Sequence, residues 1–226
     1  MKNSQIELLK KNAALAALKY LPQDGIVGVG TGSTVKYFIE AIANPSIKGK
    51  IEGAIPSSTM TMNQLKAHNI PILDLNSTGT ISLYVDGTDS VDKHLHLLKG
   101  GGAALTREKI IAAASKKFIC IADESKYCST LSCDQTPICV EVIPMARSLV
   151  AREIVKLKGV PVYREGIITD NGNIILDVYQ LDLTNPIQIE ETLNQLTGVV
   201  CHGLFAKRKA DVLLLSSSSG IQTIEV

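Results

Sequence analysis

Apolar positions along this chain of 226 residues follow two rhythms. The short runs "IVGVG" (26–30), "GAIPS" (53–57), "PILDL" (71–75), "SLYVD" (82–86) and "KFICIAD" (117–123) are brief and densely apolar, and read as strands. Among them, apolar residues recur at helical spacing over about 33–43, 59–68 and 105–115. Strand alternating with helix predicts a parallel, doubly wound sheet, a fold that binds its ligands at the carboxyl ends of the strands. Ahead of the first run, "MKNSQIELLKKNAALAALKYLPQDG" reads as an amphipathic helix with Ile6, Leu9, Ala13, Ala16, Ala17 and Tyr20 on its buried stripe. Its apolar stretch is too short for a membrane span, and no export signal is visible, so a cytoplasmic protein is expected.

After the polar, turn-rich "ESKYCSTLSCDQTP" the rhythm changes. "ICVEVIP" reads as a strand, "MARSLVAREIVKL" as a helix, and "VPVYR" and "NIILDVYQL" as strands around the "TDNGN" turn. "NPIQIEETLNQL" follows as a helix and "GVVCHGLF" as a strand. The order strand, helix, strand, strand, helix, strand is that of a ferredoxin-like layer. The closing "ADVLLLSSSSGIQTIEV" returns to strand patterning and is expected to rejoin the first sheet. The expected fold is therefore α/β, with a doubly wound, mostly parallel, Rossmann-like sheet in a domain of residues 1–133 plus 207–226. A smaller α+β ferredoxin-like domain is expected over 134–206.

Composition narrows the partners. Lys and Arg number 23 against 22 Asp and Glu, a formal net charge of +1, so no broad field draws nucleic acid and an anionic ligand must be held locally. The five cysteines form no CxxC pair and mostly lie in apolar runs, as reduced thiols do. His68, His94, His96 and His202 do not gather at ligand spacing, and the pair in "KHLHLL" would splay apart on a helix, so no metal is expected.

Four stretches carry candidate chemistry. In "GVGTGSTVKYF", glycines and the hydroxyls of Thr31, Ser33 and Thr34 meet a helix start, where free N–H groups and the helix dipole favour an anion. The dinucleotide fingerprint G-x-G-x-x-G is not matched, and no ribose-binding acid follows, which leaves a single phosphate or a structural turn. "LYVDGTDSVD" places Asp86 at a strand's carboxyl end and Asp89 three residues on, either a catalytic acid loop or ordinary turn chemistry, with Asp92 more exposed. "LLKGGGAALTREKIIAA" spends three consecutive glycines, Gly100 to Gly102, beside Lys99 and ahead of Glu108, which is either functional or a dipole-favoured acid near a helix start. "CIADESK" ends a strand with Lys126 in the following loop, an anion ligand or a solvated lysine. The "KRK" of Lys207 to Lys209 reads as a solvated turn.

Together, "VGVGTGST", "VDG.D", "KGGGAALTREKI", "FICIAD.SK", "VEVIPMA", "TDNGN.ILDV" and "GLFA" occur in an order and at a spacing that resemble type A ribose-5-phosphate isomerases over nearly the whole chain. The resemblance implies interconversion of ribose 5-phosphate and ribulose 5-phosphate without metal or organic cofactor. It implies Glu108 as the proton-transferring base, with Asp86, Asp89 and Lys99 as its catalytic companions. Thr31, Gly32, Ser33, Thr34, Lys126 and Lys10 are implied at the phosphate, Arg107 near it, and Gly87, Thr88, Gly100, Gly101 and Gly102 along the sugar. It further implies a homodimer that binds a sugar phosphate and neither nucleic acid nor membrane. Ser90 stands where an acid generally follows the second aspartate, and Lys207, Lys209 and "SSSSG" depart from the family's usual turns. A sugar-phosphate-sensing module without catalysis, or a nicotinamide-dependent dehydrogenase, are the competing functions, and the loop's fingerprint mismatch weighs against the latter.

Overall fold

The computed structural model describes residues 2–225. The chain opens with helix α1 (Lys2–Ala17), strand β1 (Gly25–Val29), α2 (Ser33–Ile42), α3 (Pro45–Lys48), β2 (Ile51–Pro56) and α4 (Thr59–Ala67). Then come β3 (Ile81–Asp86), β4 (Ser90–Val91), β5 (Leu97–Leu98), α5 (Leu105–Ala114) and β6 (Ser115–Asp123). The remainder comprises β7 (Ile138–Val142), α6 (Arg147–Lys156), β8 (Val160–Tyr163), β9 (Ile174–Tyr179), α7 (Pro186–Asn194), β10 (Val199–His202), β11 (Leu204–Phe205), β12 (Val212–Ser217) and β13 (Gly220–Glu225).

The chain divides into two units, residues 1–88 with 110–127 and 210–226, and residues 89–109 with 128–209. Segment 89–109, grouped with the larger domain in the sequence reading, thus falls in the second unit.

The first unit is built on one sheet in the order β13-β12-β6-β3-β1-β2, parallel except for the antiparallel edge strand β13. Counted along the parallel strands the order is 2-1-3-4-5, so the direction of winding reverses where β1 lies beside β3. Val27, Val29, Leu83, Val85, Ile119, Ile121, Val212 and Leu214 bury one face of that sheet with Val35, Phe38, Ile39 and Ile42 of α2. On α1 the buried face is Leu9, Ala13, Ala14 and Ala17. Ile6 is exposed, and Ala16 and Tyr20 are only partly buried, contrary to the expected stripe, because the small alanines 13, 14 and 17 let the helix backbone itself approach its neighbours. "PILDL" is not a strand. Only Ile72 bridges Ala54, since Pro71 has no amide to donate and the Asp74 side chain turns the chain by accepting from Asn76 N at 2.8 Å.

The second unit carries an antiparallel sheet in the order β10-β7-β9-β8, with α6 and α7 in the expected ferredoxin-like sequence of elements. Its core is Ile138, Val140 and Val142 packed with Val150, Ile154, Leu176, Val178 and Leu193. A second, three-stranded sheet, β11-β5-β4, was not expected. It arises because "GVVCHGLF" breaks at Gly203: a Cβ there would overlap the carbonyl of Lys99, so the backbone crosses at that point and Leu204–Phe205 pair with Leu97–Leu98. "KHLHLL" is accordingly turn and strand rather than helix, and the rings of His94 and His96 lie 5.7 Å apart. Asp92, expected to be exposed, is buried and accepts from His94 N, His96 N and His96 Nδ1, each at 2.9 Å.

Candidate active site

In the first unit, β1 and β3 end side by side at the reversal of the sheet, and Gly30 N donates to Val85 O at 2.9 Å. A Cβ on Gly30 would overlap the Asp86 carboxylate, so only glycine lets the loop after β1 pass the end of β3. Asp86 is fully buried. Its Oδ1 accepts from Gly87 N at 2.7 Å and Thr31 N at 3.1 Å, and its Oδ2 accepts from Tyr84 Oη. Thr31 Oγ1 joins a hydroxyl cluster with Ser57 (2.7 Å), Ser58 (2.8 Å) and Thr61 (3.1 Å), and Thr61 Oγ1 donates to Gly30 O at 2.7 Å.

Gly32 then adopts φ 139°, a conformation that side chains rarely take, and becomes the N-cap of α2. Having no side chain, it supplies no capping hydrogen bond to the first turn, where Ser33 and Thr34 lie. The N–H groups at the start of a helix have no partner within the helix itself. Lys126 closes a 3₁₀ turn, Glu124–Lys126, directly after β6, with Asp123 accepting from Ser125 N at 3.0 Å. Lys10 ion-pairs with Glu7 at 2.7 Å, one turn back on α1, and Glu7 also accepts from Tyr37 Oη at 2.6 Å. Lys10 and Tyr37 together hold the exposed Glu7 carboxyl below its ordinary range.

In the second unit, Lys99 leaves β5 with its N–H on Gly203 O at 2.8 Å. Its ammonium lies 3.3 Å from Glu108 Oε2, and both side chains are almost entirely buried, 3% and 5% exposed. A glutamate serving only as a helix-start charge would sit in solvent. Burial beside an ammonium instead pairs the carboxylate with an opposite charge out of water. The Phe205 ring lies 5.8 Å from Lys99 Nζ and 4.7 Å from Lys109 Nζ.

The glycine loop is held from two sides. Asp89 accepts from Gly101 N at 2.8 Å, while Arg164 donates to Gly100 O at 3.0 Å and Gly101 O at 3.3 Å. Arg164 is itself aimed by a forked pair with Asp177. Gly100 has φ 109°, and a Cβ there would lie 2.7 Å from Cys139 Cβ, so the loop needs glycine at this point. Burial pushes the Cys139 thiol up to about 12, which makes it a packing group and not a nucleophile. Arg107 is committed to Asn171 Oδ1 at 2.9 Å and the Asp170 carbonyl at 2.8 Å.

The sequence motifs did not point to Ser57, Ser58, Thr61, Tyr84 or Arg164. For the hydroxyls a signal exists in "SSTMT" at the carboxyl end of β2, beside the loop after β1. For Arg164, some 60 residues from the loop it holds, none does. Among the described residues no cluster of His, Cys, Asp and Glu is arranged to hold a metal ion, and no helix is long and apolar enough to cross a membrane.

The family profile of ribose 5-phosphate isomerase A (phosphoriboisomerase A) matches residues 53–220. The crystal structure of ribose 5 phosphate isomerase A from Neisseria gonorrhoeae is 41% identical and superimposes with a TM-score of 0.94 over 97% of each chain. Ribose 5-phosphate isomerase A from Methanocaldococcus jannaschii is 33% identical with a TM-score of 0.92, covering 97% of this chain and 99% of that one. A D-ribose-5-phosphate isomerase solved with phospho-erythronic acid is 36% identical with a TM-score of 0.92, covering 98% and 99%. With its winding reversal, glycine loops and buried Lys99–Glu108 pair on a fold so closely shared, the chain belongs to the ribose 5-phosphate isomerase A family.

Proposed function

We propose that Glu108 is the base by which this isomerase interconverts D-ribose 5-phosphate and D-ribulose 5-phosphate through an enediolate. The buried pair of Lys99 and Glu108, 3.3 Å apart, carries the reading. Glu108 removes the proton from C2 of the open aldose and returns it to C1, while the O2 proton passes to O1. Negative charge grows on the sugar oxygens as the C–H bond breaks, and the Lys99 ammonium stabilises it at close range. Acid-base groups placed in this way contribute on the order of 10² to 10⁴ in rate.

Asp86 is assigned the proton shuttle of furanose opening. Asp89, tied to Gly101 N, orients sugar hydroxyls or Glu108. The phosphate is assigned to Thr31, Gly32, Ser33 and Thr34 at the start of α2, with Lys126 and Lys10 supplying charge. Gly87, Thr88 and Gly100 to Gly102 are assigned to the sugar through their backbone. Phospho-erythronic acid, with which the relative was solved, carries a carboxylate and a phosphate, as an enediolate's charge and a sugar phosphate would require. No step of the reaction calls for a cofactor. The same reading makes the enzyme a cytoplasmic homodimer in the non-oxidative pentose phosphate branch, and sedimentation at several concentrations tests the assembly.

The test is turnover of ribose 5-phosphate by metal-stripped protein, with the ketose followed directly. Glu108→Gln is expected to nearly abolish kcat while KM stays within about tenfold. Near-normal turnover in that variant removes Glu108 as the base. Binding without turnover in the parent protein makes it a sensing module.

A further inference from the structure

The motifs "VEVIP" and "TDNGN" have no role in the mechanism above, yet they meet at one buried carboxylate. Glu141, on β7, has no solvent exposure. It accepts hydrogen bonds from Thr106 Oγ1, from Thr169 Oγ1 at 2.8 Å, from Asn173 Nδ2 at 2.8 Å and from Asn171 Nδ2 at 3.1 and 3.3 Å. The donating loop is wound around Thr169, whose hydroxyl also accepts from the backbone of Asn171 and Asn173. Arg107 grips the same loop at Asn171 and Asp170. Residues 106 and 107, the second and third of α5, are therefore both tied to one assembly centred on Glu141.

We propose that Glu141 is a positioning residue for proton transfer: by clamping the first turn of α5 it sets the rotation of that helix and so aims Glu108 at the reacting carbon. The inference rests on the assignment of Glu108 as base. Successive helical residues turn by about 100°, so Thr106 and Glu108, two apart, project from opposite sides of the axis. A pull on Thr106 from β7 thus fixes the direction of Glu108 toward Lys99. Roughly 10° of rotation moves a carboxylate about 6 Å from the axis by about 1 Å, and a misplacement of that size costs on the order of 10²-fold in rate. Packing alone does not call for the carboxylate. On this part of the unit Leu105 already packs with Cys139, Ile175 and Cys201, and a buried carboxyl is expensive unless hydrogen bonds satisfy it, as four side chains do here.

The experiment compares Thr106→Val, Thr106→Ser, Glu141→Gln and Glu108→Gln, with kcat, KM and thermal unfolding measured for each. Thr106→Val removes the hydroxyl at nearly constant shape. It is expected to lower kcat about tenfold or more with KM within about threefold, at temperatures well below its Tm. Thr106→Ser restores the donor and should stay within about threefold of the parent. Glu141→Gln should match Thr106→Val, and the double variant should lose no more than the worse single. If Thr106→Val and any folded Glu141→Gln keep kcat within about twofold while Glu108→Gln is dead, the positioning role is wrong and the base stands. If Glu108→Gln remains active, the base assignment itself fails. Should Glu141→Gln not fold, the Val and Ser pair at Thr106 decides alone.

Discussion

Replacing Asp86 by asparagine tests the ring-opening role proposed for it. Asp86 accepts from Thr31 N, Gly87 N and Tyr84 Oη, and asparagine with its oxygen toward the two amides preserves those bonds. Its amide nitrogen then faces Tyr84 Oη, which can turn its proton away and accept. Three bonds change from charge-assisted to neutral at about 1 kcal/mol each, so stability falls by at most about 3 kcal/mol. Relief from burying a charge offsets part of that loss. The fold and the loop at Thr31 are therefore expected to survive, and activity can be interpreted.

Ribose 5-phosphate exists mainly as a furanose. Ribulose 5-phosphate cannot form that ring, because its C5 oxygen carries the phosphate. The two directions share one equilibrium constant, so kcat/KM must fall by the same factor in both, on the order of 10² or more for Asp86→Asn. Formation of the enediolate from ribulose 5-phosphate needs no ring step, so exchange of its C1 proton with solvent should fall less than about tenfold. The assay is initial rates of interconversion beside deuterium uptake at C1 of ribulose 5-phosphate in heavy water. An exchange rate that falls as far as turnover would falsify the shuttle assignment and make Asp86 a scaffold for Thr31 and Gly87.

Two further outcomes follow from the second unit. Arg164→Lys loses the fork that joins Asp177 to the carbonyls of Gly100 and Gly101, so stability should drop by about 1–3 kcal/mol and kcat/KM by about tenfold. Unchanged urea denaturation and kinetics would mean that the glycine loop holds itself. His202 is buried, its Nδ1 accepting from Leu204 N at 3.3 Å and lying 3.4 Å from Lys109 Nζ, its Nε2 3.2 Å from Asn194 Oδ1. Burial first, and Lys109 second, drive its basicity well below 6.5. The unfolded chain therefore takes up a proton near pH 6.5 that the folded chain refuses. His202 contributes stability above that pH, which is lost as pH falls, by about 1.4 kcal/mol per unit below pH 6. A His202 ring NMR shift, assigned by comparison with His202→Gln, that titrates near pH 6.5 in the folded protein would contradict this.

The sequence exposed the parts of the site that depend on local covalent constraints. Gly30 and Gly100 stand where a Cβ has no room, Gly32 and Gly100 hold φ values that side chains rarely adopt, and helix starts after glycine loops reveal where N–H groups are left over. These requirements are met within a few residues, so they leave motifs. The alternation of strand and helix, the ferredoxin-like order and the return of the last strands were legible for the same reason: each rests on periodicity within one element. Weakly patterned short pieces were not. "PILDL" and "KHLHLL" hold apolar residues at ambiguous spacing, and a proline, an aspartate cap and a neighbouring strand settled their conformation.

From the sequence alone came the resemblance to the family, the two sheets and, through that resemblance, Glu108, Lys99, Asp86 and the Thr31 to Thr34 loop as candidates, while glycine and turn chemistry marked the loops that carry them. Tertiary structure decided what those groups experience. Lys99 and Glu108 are buried together at 3.3 Å, and the Thr31 amide on Asp86, the grip of Arg164 on Gly100 and Gly101, and the seat of Thr106 on Glu141 join residues dozens of positions apart. Such pairs carry no local pattern. Water exclusion and direction arise only when separate elements pack, and a carboxylate's strength as a base follows from both.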